Sequence, residues 1–192
     1  RSTRALLLHS IGLGAAVMAH ILGSPVWAGS LQLLVVVAAL LVLQPVLAEV
    51  FGAQPEWSTS AVSVTAGLLW LIAVCAADAV STVAGADPRH VTALLIPAFL
   101  AAGLLQLVLG VLLHLLPTLI GGGRDRVVQA RAAADRGGMA RVLLINLGAV
   151  STLLAETGPA RAAGLIMLGI GLLAHAAFLL PAVARQHRTE SS

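Results

Sequence analysis

Three histidines and one asparagine lie inside long apolar segments at similar depths. At about 1.5 Å of helix per residue, His9, His114 and His175 fall roughly 6 to 12 Å from the same ends of their segments, and Asn146 about 8 Å. Imidazoles on facing helices can hold a haem or ligate copper. The shared depth predicts a cofactor layer of these four residues, with haem b or copper as the candidate cofactor. Each histidine could instead hydrogen-bond a carbonyl group of a neighbouring helix.

A second polar layer is predicted nearer the opposite ends of the segments, where His20, Asp78 and His90 reach comparable depth. Asp78 is the only acidic residue well inside an apolar segment, and a carboxylate there should have a partner, for which His20 or Arg89 is expected. Two histidines and a carboxylate could bind a divalent metal, although no ligand-spaced motif is present. A structural ion pair and a proton or solute site are the alternatives.

No motif of a soluble enzyme occurs in the chain. The sequence has no phosphate-binding loop, no nucleophile elbow and no HExxH pair. Cys75 is the single cysteine, so the chain has neither a disulfide framework nor a CxxC redox pair. Whether the protein is an enzyme therefore stays open at this point.

Composition indicates what kind of element must hold these residues. Hydrophobic residues make up 59% of the chain and charged residues 10%, with a mean hydropathy of +0.99. A soluble domain has about 45–50% apolar and 25% charged residues, so these values predict an integral membrane protein in contact with lipids. The net basic charge does not indicate nucleic-acid binding, because every basic residue is an arginine close to or between apolar segments.

Six segments are apolar and nearly long enough to cross a membrane as helices. They predict an all-α, multi-pass bundle of about six spans that forms a single domain over residues 1–192. The fifth segment is short and the least regular. The segments are Ala5–Leu22, Leu31–Phe51, Ser60–Val83, Val91–Ile120, Arg141–Ala155 and Pro159–Val183.

The arginines predict how this bundle is oriented. With six spans, nine arginines lie on the side of both termini and two on the other, so the positive-inside rule places both termini in the cytoplasm and the protein in the plasma membrane. Five of these nine arginines, from Arg124 to Arg141, lie in or directly after the basic cytoplasmic loop at residues 121–140. Alanine and valine at helical spacing over Arg126 to Arg136 predict a short surface helix between spans four and five. The loop either orients the protein or binds anionic lipid or a partner.

One pattern in the fourth segment and the following loop resembles a known family. It reads Q-x-x-x-G-x-x-x-x-L-L-P-x-x-x-G-G-G from Gln106 to Gly123, followed by Asp135-Arg136-Gly137-Gly138, Arg141 and Asn146. Over about the last 120 residues the chain resembles the transmembrane domain of actinobacterial membrane-anchored multicopper oxidases of the copper nitrite reductase type. The cupredoxin domains that carry copper in that family are absent from this sequence, which has no His-Cys-His-Met cluster.

This resemblance implies a membrane domain or subunit associated with copper-dependent redox or respiratory chemistry, acting as an anchor or an electron-transfer partner. Any enzymatic role would then be as part of an oxidoreductase, with a cupredoxin domain or respiratory subunits as partners. Two other functions stay open: a small-solute, metal or proton transporter that uses Asp78 and His20, and a structural subunit of a respiratory complex. A homo-oligomer is compatible with each. Because the chain starts at Arg1, we expect it to be part of a longer polypeptide.

Overall fold

A computed structural model describes residues 2–50, 58–120 and 124–178, and within these ranges all regular structure is helical. The predicted all-α class is therefore confirmed for the described chain. The helices in order are α1 (Ser2–Ile21), α2 (Pro25–Val50), α3 (Thr59–Val83), α4 (Pro88–Pro97), a π-helical segment (Ala98–Leu105), α5 (Gln106–Ile120), α6 (Arg124–Asp135), α7 (Gly138–Leu154) and α8 (Gly158–Ala177).

Within the described ranges, four helices are long and apolar enough to cross a membrane. They lie at Pro25–Pro45, Thr59–Val83, Pro88–Leu116 and Gly158–Ala177. A fifth is added if α6 and α7, which are bent by 46° relative to each other, count as one span. The remaining apolar helix, His9–Ile21 within α1, is shorter than a full span. The fold is thus compatible with a multi-pass membrane protein.

The long helix α3 occupies the centre of the bundle. It packs against α2 on one side and against α5 and the π-helical segment on the other. α1 contacts mainly α2, and α8 contacts mainly α7. As a result, α3 separates an α1–α2 hairpin from a larger unit that contains α4, the π-helical segment, α5, α7 and α8.

Glycines allow the helices of the larger unit to approach closely. A Cβ atom added to Gly148 on α7 would lie 2.8 Å from the carbonyl oxygen of Gly164 on α8, a contact that only glycine avoids. On α5, a Cβ atom at Gly110 would lie 2.9 Å from the backbone nitrogen of Val64. Small residues at these positions let the helices pack closely.

Pro97 explains a polar contact between α4 and α8. A proline has no N–H group to donate to the carbonyl four residues earlier, so the Ala93 carbonyl loses its helical partner. The Arg161 Nη2 group donates to this Ala93 oxygen at 3.0 Å. The proline does not end the helix, since the π-helical segment starts directly after it and α5 continues to Ile120.

The helix ends show that α7 runs the length of the bundle. At one end, the Asp135 carboxylate, which closes α6 just before α7, accepts a hydrogen bond from the Thr59 N–H at 2.7 Å and so caps α3. At the other end, Glu156 follows α7 and lies 3.8 Å from His90 at the start of α4. The surface helix that the sequence predicted before the fifth apolar segment is present as α6.

Candidate functional site

A cavity of about 670 Å³ lies between α1, α2 and α3. Its wall is largely made of alanine, valine, leucine and isoleucine side chains. Five residues with polar side chains or a thiol also line it: His9, His20, Gln32, Cys75 and Asp78. A mostly apolar cavity with a few polar groups is the usual form of a small-molecule site.

The two histidines of the cavity come from one face of α1. They are eleven residues apart, which is close to three helical turns and therefore brings both side chains to the same side. The same spacing separates them by about 16 Å along the helix axis. Leu13, Ala16 and Val17 line the cavity between them. The cavity is therefore elongated along α1, with an imidazole near each end.

Asp78 takes part in a hydrogen bond that crosses from α3 to α2. The Gln32 Nε2 group donates to Asp78 Oδ2 at 3.0 Å and to the Cys75 carbonyl oxygen at 3.3 Å. The expected partners, His20 and Arg89, make no hydrogen bond to this carboxylate among the described residues, although His20 lines the same cavity. Gln32 was missed in the sequence, where the available signal was a lone amide between Leu31 and Leu33.

A second polar cluster lies on the opposite side of α3 and is fully buried. It consists of Ser63 on α3, Gln106 on α5 and His175 on α8, whose exposed fractions are all 0%. The Ser63 hydroxyl lies 3.3 Å from His175 Nε2 and 3.4 Å from the Gln106 backbone oxygen. Three side-chain atoms in this Ser63 cluster make no hydrogen bond to any described residue: Gln106 Nε2, Gln106 Oε1 and His175 Nδ1.

Arg141 is buried at the start of α7, with only 6% of its surface exposed. Its guanidinium carbon lies 3.9 Å from the centre of the Phe178 ring, an arrangement that favours a cation–π interaction. Its Nη1 group donates to the Arg136 carbonyl oxygen at 2.9 Å. The sequence grouped Arg141 with the orienting arginines of the loop, but its side chain packs inside the bundle because α8 provides an aromatic face next to it.

Asn146 is committed to a hydrogen bond between α7 and α3. Its Oδ1 atom accepts from the Trp70 indole N–H at 2.6 Å, and its Nδ2 group donates to the Val142 carbonyl oxygen at 2.6 Å. An indole nitrogen inside a bundle needs such an acceptor. In the described structure Asn146 therefore joins two helices and contacts none of the three histidines with which it shares depth.

The residues of the predicted cofactor layer lie in different places. His9 lines the cavity, His175 belongs to the Ser63 cluster, and His114 is exposed on α5. A haem held by two histidines needs their nitrogens on opposite sides of one flat space. The described residues do not place any two of these three histidines in that relation.

The residues of the predicted metal layer also separate. His20 and Asp78 line the same cavity, whereas His90 lies at the end of the bundle beside Glu156. Within residues 2–50, 58–120 and 124–178, no group of three histidine, cysteine, aspartate or glutamate side chains could hold a metal ion. The described residues therefore bring together neither a histidine pair for a haem nor a ligand set for a metal ion.

No protein-family model matches this chain, and the curated proteins and solved structures contain no detectable relative of it. The resemblance to the copper oxidase membrane domain therefore stays a prediction from the quoted motifs.

Proposed function

We propose that this protein is a multi-pass plasma-membrane protein that binds a small solute in the α1–α3 cavity and transfers it, using Asp78 and His20. The observation that supports this most directly is the Asp78 carboxylate in the wall of a mostly apolar cavity. Ionisable residues at membrane depth mark substrate or ion pathways more often than structural positions.

The cavity favours a solute with an apolar body and a cationic or hydrogen-bond-donating group. Among the described residues, no arginine lines the cavity, and the chain has no lysine. Gln32 engages one carboxylate oxygen and fixes the orientation of the side chain. The second oxygen is then the natural acceptor for a donor group on the solute, while His9 and His20 provide further hydrogen-bonding groups.

The proposed topology has six crossings with both termini in the cytoplasm. The uneven distribution of arginines supports it. The course of α7 supports it too, because the two ends of this helix lie at opposite ends of the bundle, next to Thr59 and next to His90. In this topology α6 lies at the cytoplasmic surface.

Binding of a lipophilic cation tests the proposal. With the protein in lipid nanodiscs, we expect tetraphenylphosphonium to bind saturably, and we expect Asp78→Asn to weaken binding by about tenfold or more. Asp87→Asn is the matched control because it makes the same charge change outside the cavity, at the start of α4, where asparagine also caps a helix. We expect this control to bind like the unaltered protein.

Two results would contradict the proposal. One is equal binding by the Asp78→Asn variant and the unaltered protein. The other is an equal loss of binding in the Asp87→Asn control, which would show that the cation responds only to overall charge.

A second candidate function is the copper-associated redox role implied by the resemblance. It is supported by the motif from Gln106 to Gly123, and not by any set of metal ligands among the described residues. The two candidates differ in a direct measurement, since a redox role predicts bound copper or haem with a visible absorption spectrum. A colourless and metal-free preparation from intact membranes would remove this candidate, whereas copurification with oxidase or cytochrome subunits would support a partner role.

A further inference from the structure

The Ser63 cluster contains polar groups that neither the proposed function nor the packing of the helices uses. Gln106 and His175 are fully buried, and three of their side-chain atoms have no hydrogen-bond partner. Leaving a buried polar atom unpaired is costly, so such atoms in folded proteins usually contact ordered water. None of its three residues lines the cavity, so it forms a separate region.

The hydrogen atoms in this cluster can be counted. The Ser63 hydroxyl has one hydrogen and two neighbours, the Gln106 backbone oxygen at 3.4 Å and His175 Nε2 at 3.3 Å. If Ser63 donates to the oxygen, Nε2 must carry a hydrogen, and Nδ1 is then an acceptor without a donor. If Ser63 donates to Nε2, Nδ1 carries a hydrogen without an acceptor. In either tautomer His175 needs one further partner.

The side-chain amide of Gln106 adds both kinds of demand, since Oε1 lacks a donor and Nε2 lacks an acceptor. We propose that the Ser63–Gln106–His175 cluster is an internal binding site for water, with ordered molecules bonded to the Gln106 amide and to His175 Nδ1. Water both donates and accepts, which matches a site that lacks one partner of each kind.

Other ligands match these groups less well. A cation would need several oxygen ligands or a carboxylate, and no acidic side chain belongs to the cluster, while Arg141 packs on the same face of α8 through Phe178. An anion would accept from the Gln106 Nε2 group but would leave Oε1 without a donor. A neutral molecule that donates and accepts satisfies all three atoms.

The position of Gln106 gives this site added interest. Gln106 is the first residue of α5 and directly follows the π-helical segment. Short π-helical segments within α-helices occur frequently at functional sites, because they change which side chains face inward. Here the change brings a fully buried amide to the junction of α3, α5 and α8.

The direction of a stability change tests the proposal. If water fills the site, Gln106→Met removes hydrogen bonds that the water makes, and we expect the midpoint of thermal unfolding in nanodiscs to fall by on the order of 3 °C or more. If the amide is truly unpaired, the same change removes a desolvated polar group, and the midpoint should rise. An unchanged or raised midpoint overturns the proposal.

Thr152→Val is the matched control for this substitution. Thr152 is equally buried, but its hydroxyl already donates to the Ala149 carbonyl oxygen at 2.8 Å within its own helix. We expect the midpoint to fall less in this control than in Gln106→Met. A fall of equal size in both would show only a general cost of replacing a buried polar residue and would count against bound water.

Magnetic resonance gives an independent result on the unaltered protein. With glutamine labelled by nitrogen-15 in proteoliposomes, we expect magnetisation transfer from long-lived water to the Gln106 side-chain amide. That signal is identified by its loss in Gln106→Met or, if this variant does not fold, in Gln106→Asn. A Gln106 amide signal without transfer from water would overturn the proposal, whatever the stability measurements show.

Discussion

Polar residues on the two sides of α3 differ in whether they line a cavity or are completely buried. On the side of α1 and α2, Asp78 and two histidines line a cavity. On the side of α5 and α8, Ser63, Gln106 and His175 are completely enclosed.

This difference shows that depth in the membrane does not determine what a polar residue does. His9 and His175 have similar predicted depths, but one lines a cavity and the other lies within a packed helix junction. The packing around each histidine decides whether a ligand can reach it. The α1–α3 side is therefore the better candidate for binding, and the α5–α8 side for rigidity.

The largest effect is expected for a substitution at the contact between α7 and α8. In Gly148→Ala, the new methyl group meets the Gly164 backbone oxygen, and we expect the free energy of unfolding to fall by about 1–3 kcal/mol because the two helices must separate. Gly169→Ala on α8 is the control, since a Cβ atom there meets nothing within 4 Å. Equal stability of the two variants, measured by denaturant titration in micelles, would contradict tight packing between α7 and α8.

A smaller effect is expected where one hydrogen bond joins α3 to α7. Asn146→Ala leaves the Trp70 indole N–H without its acceptor, and we expect a loss of about 1 kcal/mol together with a changed near-ultraviolet circular dichroism signal of the tryptophan. Gln44→Ala, which removes an exposed amide on α2, should change stability by less than about 0.5 kcal/mol. An unchanged tryptophan signal in Asn146→Ala would argue against this bond.

The smallest effect on stability is expected in the cavity. Ala39 lines it, so Ala39→Leu should fill space at a change of about 0.5 kcal/mol or less while it weakens binding of tetraphenylphosphonium. Ala149→Leu adds the same atoms at a fully buried position on α7 and should cost about 1–3 kcal/mol. An equal loss of stability in the two variants would contradict the difference in packing between the two sides of α3.

Hydropathy was enough to predict the helices, but it did not determine how many of them cross the membrane. Each of the six predicted apolar segments contains a helix in the described structure, and the predicted surface helix corresponds to α6. A long apolar segment in a membrane is expected to be a helix, because its backbone N–H and C=O groups have no water to bond and can pair within the helix. The count stayed open because α7 has only 17 residues and because the apolar stretch described in α1, His9–Ile21, is shorter than a span. Residues 121–123 and 179–192, which carry part of the motif and of the charge count, lie outside the described residues.

The site was predicted only in part, since counting residues gives depth but not direction around the helix. Asp78 and His20 were predicted at comparable depth, and both line the cavity. His114 and Asn146 were placed by depth alone. A π-helical segment contains an extra residue per turn, and each extra residue rotates the helix that follows by about 100°. No pattern in the sequence predicted this segment. Gln32 was missed because its role depends on Asp78, 46 positions away.

The hydrogen bonds of Arg161 affect which helices can separate from one another. One of its nitrogens holds the Ala93 carbonyl of α4, and the other donates to the Glu156 carbonyl at the end of α7 at 3.0 Å. This side chain therefore links α4 to α8 and to the end of α7. Separating α4 from α8 would break its hydrogen bond to Ala93. In the proposed function, a cavity that opens between the α1–α2 hairpin and α3 would have to break the Gln32–Asp78 hydrogen bond.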